Sequence, residues 1–168
     1  MSGPSTLLRA FAVISLFVFA MPTNADPAKH THDMSDDAVM IMAPWVRAAP
    51  PTARVMAGYV TLHNQSDQLQ RLTRVSSPMF ERVEIHESYL EGGVSKMRAL
   101  STIDIPAGEM VTFEPNGLHL MLIGPTVGAK SASHIEMTFT FETGHTKTLD
   151  VGVLNRGDAM PTMQHPNH

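Results

Sequence analysis

Leu118-His119-Leu120-Met121-Leu122 is a run in which leucine alternates with His or Met. Successive side chains of a β-strand point to opposite faces, so a strand here places the three leucines on one face and His119 and Met121 on the other. We expect the leucines to face a core. Two ligand-type residues separated by one position lie about 7 Å apart at the backbone, near enough to bind one ion. An edge strand with an incidental His and Met is the alternative for this fragment alone.

The chain between Val39 and Leu154 is also typical of a β protein. Short alternating or apolar runs are separated by Gly, Pro, Asn and Asp, and no stretch keeps a 3.6-residue apolar period. We therefore predict an all-β fold, an antiparallel sandwich or barrel of about seven to nine strands. The predicted runs are Met56–His63, Leu69–Val75, Arg82–Tyr89, Val94–Leu100, Met110–Phe113, Leu118–Ile123, His134–Phe141 and Thr146–Val153.

A hairpin is predicted around Glu91–Gly93, because glycine supplies the positive φ that tight turns need. If Glu91 and the first glycine form the loop, His86 lies opposite Met97. If the two glycines form it, His86 lies opposite Ala99 and Met97 lies on the diagonal. Both registers place His86 and Met97 on one face, within cross-strand reach. A three-residue loop would place them on opposite faces.

The composition limits the classes of function. The 168 residues carry a formal net charge of -4 and no cluster of Lys and Arg, which argues against a nucleic-acid partner. The absence of cysteine excludes disulfides, thiolate metal sites and thiol redox chemistry. The 13 methionines and 9 histidines are unusual. Most of the methionines are expected to fill the core, but several lie beside histidines among polar residues.

The N-terminus has the pattern of an export signal. Residues 1–25 contain Arg9, the apolar run Ala10–Met21 and small residues before a cleavage position. Cleavage is predicted after Ala25, with Ala20 as the second choice. The apolar run is short for a membrane span, although a retained anchor is the alternative. We predict a flexible lead-in over residues 26–38, a β domain over 39–154 that carries the candidate ligands, and a flexible His/Met-containing tail over 155–168. The protein would be periplasmic if its source has two membranes.

The candidate metal site combines the two fragments as His86, ten residues, Met97, twenty-one residues, His119, one residue and Met121. Thioethers are soft ligands that select Cu(I), and imidazole suits copper in either oxidation state. We expect a shallow, outward-facing site. No carboxylate or nucleophile accompanies these residues in a catalytic arrangement, so we predict a carrier and not an enzyme. The C-terminal residues could form a second site better suited to Cu(II), or simply a solvated tail: Met160, Met163, His165 and His168.

This spacing resembles the signature of the periplasmic PCuAC copper chaperones: His or Met, ten residues, Met, twenty-one residues, His-x-Met. The resemblance covers about Ala43 to Val153. It implies a cupredoxin-like β-sandwich that binds Cu(I) through His86, Met97, His119 and Met121. It also implies delivery of copper toward the CuA centre of a haem-copper oxidase, often beside Sco-type thiol proteins. The similar segments are Trp45–Ala48, Ala57–Leu62, Ser76–Pro78, Glu84–Glu87, Glu91–Val94, Ile105–Gly108 and Gly117–Leu122.

Two other functions fit the same sequence. A copper-buffering or resistance protein would use the same site to sequester copper, and a plain β-sandwich interaction module would bind no metal. In each case we expect a monomer without a membrane span after signal cleavage. The other histidines of the domain are expected on the surface: His63, His134 and His145. The remaining strand methionines are expected in the core: Met40, Met42, Met56, Met110 and Met137.

Overall fold

A computed structural model describes residues 38–155 and 157–159, and these residues form ten β-strands and no helix. None of the described residues belongs to a helix long and apolar enough to cross a membrane. The strands are β1 (Val39–Arg47), β2 (Val55–Asn64), β3 (Gln70–Ser76), β4 (Phe80–Glu91), β5 (Val94–Leu100), β6 (Ile103–Ile105), β7 (Met110–Phe113), β8 (Leu118–Pro125), β9 (His134–Phe141) and β10 (Thr146–Leu154).

The strands follow the order β5-β4-β8-β2-β1-β10-β9-β3-β6, and β7 pairs with β2 beside this path. Strands β1 and β10 pair in parallel, and the other pairs are antiparallel. One buried apolar cluster takes residues from both halves of the order, such as Ile85 of β4 and Leu72 of β3. The two halves therefore enclose a single core, which is the all-β arrangement predicted from the sequence.

Eight of the ten strands coincide with predicted runs, and the other two have features that hide them in a sequence. In β1 the register shifts between Met42 and Trp45, where Ala43 has a φ of 45° and Pro44 follows. Proline cannot donate to a strand ladder, so a bulge at this point keeps the rest of the strand paired. Strand β6 is only three residues long, too short to produce an alternating pattern.

The β4–β5 hairpin forms one edge of the sheet, and its turn determines how His86 on β4 is aligned with Met97 on β5. Glu91 pairs with Val94, and the two loop residues Gly92 and Gly93 have φ values of 60° and 80°. Two successive positive φ values are those of the tight hairpin turn that matches strand twist. This is the second of the two registers considered above.

Candidate metal site

The two candidate histidines lie directly opposite each other on neighbouring strands. Strand β4 pairs with β8 so that His86 faces His119. Their ring centroids are 5.9 Å apart, with an angle of 50° between the ring planes. Residues that pair directly across an antiparallel ladder point to the same face. Both imidazoles therefore project from one face of the sheet.

The two candidate methionines lie on that same face, one on each side of the histidine pair. On the β5 side, His86 pairs with Ala99 and Ser88 with Met97, so Met97 lies diagonally from His86. On the β8 side, Met121 lies two residues beyond His119 and opposite Glu84. The alternation of the leucines agrees with this orientation, because Leu120 and Leu122 are fully buried on the core side.

The depth of the four side chains differs from the shallow site expected from the sequence. His119 is only 8% exposed, whereas Met97, on the outermost strand, is 55% exposed. His86 and Met121 are half-buried. The site is therefore recessed at His119 and open to solvent at Met97.

Hydrogen bonds define which nitrogen of His119 is available to a metal. The Nδ1 atom lies 3.1 Å from the carbonyl oxygen of Gly117, which also accepts a hydrogen bond of 3.0 Å from the backbone N–H of Ser88. A carbonyl can only accept, so the proton must reside on Nδ1 of His119. The lone pair is then on Nε2, and the second contact of Gly117 holds the loop against β4.

The ring of His86 is held in the opposite tautomer. Its Nε2 atom lies 2.9 Å from Oε2 of Glu84, and Arg82 donates to Oε1 of Glu84 over 2.7 Å. The hydrogen bond from Arg82, followed by that of His86, lowers the pKa of the Glu84 carboxyl below its ordinary value. An ionised carboxylate only accepts, so Nε2 carries the proton and Nδ1 carries the lone pair.

The Nδ1 atom of His86 has no hydrogen-bond partner although it is buried, and it is the one such side-chain atom among the described residues. A buried polar atom without a partner costs free energy, so it calls for an explanation. A soft metal ion would accept this lone pair together with that of His119 Nε2. The donor set of two imidazoles and two thioethers on one face therefore fits Cu(I).

Two contributors to the site were missed in the sequence. Glu84 holds the ring of His86, and the carbonyl of Gly117 holds that of His119. Glu84 could have been found, because it lies two residues before His86 and so shares its face of the strand. A backbone carbonyl leaves no sequence signal. The tail candidates lie outside the described residues: Met160, Met163, His165 and His168.

Comparisons with known proteins agree with this fold. The copper-bound PCuAC domain from PmoF2 is 26% identical, with a TM-score of 0.60, over 71% of this chain and 94% of that domain. The solution structure of CuI-DR1885 from Deinococcus radiodurans is 29% identical, with a TM-score of 0.54, over 66% of this chain and 74% of that one. The uncharacterized protein RP573 of Rickettsia prowazekii is 30% identical over 146 residues, 81% of this chain and 79% of that protein.

These likenesses place the chain among PCuAC-type domains, with the cupredoxin-like β-sandwich fold. The sequence resemblance to that class is thereby confirmed. More narrowly, the chain belongs to the family described as "Putative lipoprotein LpqE-like", whose model matches residues 39–153. Membership of a family described as lipoproteins indicates an exported protein.

Proposed function

We propose that this protein is a periplasmic copper chaperone that binds Cu(I) through His86, Met97, His119 and Met121. The observation that carries the proposal is the buried, unpartnered Nδ1 of His86, opposite a second histidine whose hydrogen bond to Gly117 leaves Nε2 available. Supporting it, similar domains have been solved with copper: the PCuAC domain of PmoF2 and DR1885 with CuI.

The recessed and open sides of the site suit a carrier. At one end of the site, the buried His119 holds the ion away from solvent. At the other end, the exposed Met97 leaves the ion accessible to a docked acceptor. No nucleophile lies beside these neutral ligands, and the one carboxylate that does, Glu84, is engaged by Arg82 and His86. This favours a binding protein over an enzyme. The acceptor in this proposal is the CuA-bearing subunit of a haem-copper oxidase or a Sco-type protein. Export would proceed with signal cleavage near Ala25.

Replacing Met97 and Met121 by leucine tests the ligand set. Leucine keeps the size and apolar character of the side chain but lacks the sulfur, so the fold should persist while tight Cu(I) binding is lost. Met79→Leu, in the turn before β4, is the matched control. X-ray absorption of the Cu(I)-loaded wild-type protein should count both sulfur and nitrogen neighbours. Unchanged Cu(I) affinity of the double variant would overturn the proposal.

Acidity provides a second test of the two imidazole ligands. Protons compete with the metal for the imidazole lone pairs, so Cu(I) affinity should weaken on acidification. An affinity that does not change with pH would contradict imidazole ligation.

A copper-buffering or resistance protein is the alternative that uses the same residues. Deletion of the gene separates the two functions. Loss of oxidase activity at low copper would support delivery, whereas copper sensitivity with normal oxidase activity would support buffering.

A further inference from the structure

A row of His and Met side chains, residue types that can bind metals, crosses the sheet at a distance from the four-residue site. On one side of β2, His63 pairs directly with Met40 of β1, and on the other side it pairs directly with Met110 of β7. The three residues therefore form a straight row over three adjacent strands, with the imidazole between two thioethers. Directly paired residues share a face and have Cβ atoms about 5 Å apart, so both sulfur atoms can reach the ring.

The exposure of this row contradicts the core-packing role expected for its methionines. Met40 is 42% exposed and Met110 is 49% exposed, while His63 is half-buried. Their strand neighbours Val39 and Leu62 are buried on the core side. Neither methionine belongs to the buried apolar cluster, so core packing does not explain why methionine stands at both positions.

The surroundings of the row keep the imidazole available. Within the part of the chain that the structure describes, no hydrogen bond or ion pair of His63 is found. Two residues along β2 on the same face, Thr61 pairs with Thr112, and their hydroxyls form a hydrogen bond of 3.2 Å. Those hydroxyls satisfy each other and do not compete for the His63 ring.

We propose that Met40, His63 and Met110 form a second binding site for a soft monovalent cation, Cu(I) in the cell and Ag(I) as its experimental equivalent. One imidazole nitrogen and two thioether sulfurs are a neutral donor set that favours Cu(I) over harder divalent ions. The row lies six residues along β2 from Ala57, the residue paired with Met121, which is about 20 Å of strand. No residue is shared with the four-residue site, so the two sites bind ions independently.

The test is an anaerobic Cu(I) titration of the full-length protein carrying 13C-labelled methionine methyl groups. Two sets of methyl signals should respond, those of Met97 and Met121 from one site and those of Met40 and Met110 from the other. The Met40→Leu/Met110→Leu variant should lose one equivalent of bound Cu(I) and keep the response of the first set. Both side chains are exposed, so this variant should fold, and Met79→Leu is again the matched control.

The readout separates the second site from the proposed function. Response of Met40 and Met110 without that of Met97 and Met121 would sustain this inference and overturn the chaperone site. Silence of Met40 and Met110 up to two bound equivalents would overturn the second site. So would a second equivalent that shifts only the methyl signals of the terminal methionines, Met34, Met160 and Met163.

Discussion

Replacing Glu84 by alanine should weaken Cu(I) binding although Glu84 is not a ligand in the proposed site. Its carboxylate accepts the Nε2 proton of His86 over 2.9 Å and so leaves the Nδ1 lone pair for the metal. Loss of such an outer partner lowers metal affinity by about 10- to 100-fold. The Glu84 side chain is 37% exposed, so water can partly replace its oxygen. We therefore expect the lower end, about a tenfold loss.

Competition with a chromophoric Cu(I) chelator at pH 7 measures this change. Glu87→Ala is the matched control, because Glu87 is the neighbouring carboxylate on β4 and also pairs with an arginine, Arg98, but faces away from His86. Its Cu(I) affinity should stay within about twofold of wild type. Nitrogen-15 spectra of the metal-free protein should also show the Nε2–H tautomer of His86, and Glu84→Ala should shift the ring toward a mixture of tautomers.

Three results would refute this reasoning about Glu84. One is an unchanged affinity of Glu84→Ala, and another is an equal loss in Glu87→Ala, which would indicate a general effect of charge. The third is a metal-loaded spectrum in which Nε2 of His86 binds the ion, because the hydrogen bond to Glu84 would then be absent from the bound state.

Three further predictions concern the scaffold. Leu122→Ala should lower the free energy of unfolding by about 2–5 kcal/mol, because Leu122 is fully buried; an unchanged denaturation midpoint would contradict its core position. Gly124→Ala, in β8, should cost about 1–3 kcal/mol in the same assay, because Gly124 has a φ of +66°, where a side chain strains the backbone, and an added Cβ would displace the Glu81 side chain; equal stability would contradict this strain. The hydrogen bond from Arg71 lowers the pKa of Asp104. The ionised Asp104 therefore contributes its full share to the free energy of unfolding above the unfolded-state pKa of about 3.9. This contribution is lost as the pH falls through the lower pKa of the folded state. Asp104→Asn should therefore destabilise at pH 6 and lose that effect in acid, and a pH-independent difference would speak against it.

Local patterns in the sequence predict those parts of the site that lie within one strand or one hairpin. The leucines of 118–122 indicate which way His119 and Met121 point, because large apolar side chains mark the core face. The two glycines of the hairpin reduce its register to two choices. The pairing of His86 with His119 cannot be predicted from a local pattern. The two residues are 33 positions apart in the sequence, and no local preference specifies that their strands pair in this register.

The exposed methionines show where alternation fails as a guide. Val39, Met40, Ile41 and Met42 are all apolar, so the pattern does not say which two face inward. The structure places Val39 in the core and Met40 toward solvent. The deciding factor is the pairing of β1 with β2, which aligns Met40 with His63. The polar partner on the neighbouring strand, and not the strand's own sequence, identifies the outer face.

The position of Met97 on the outermost strand bears on how a bound copper ion could be released. Strand β5 has one hydrogen-bonded neighbour, β4, and ends the strand order. Strands with fewer partners open locally at lower cost than interior ones. If Met97 binds copper as proposed, fraying of β5 would detach its sulfur and leave both imidazoles and Met121 in place. An acceptor's ligand could then enter the vacated coordination position before the remaining bonds break.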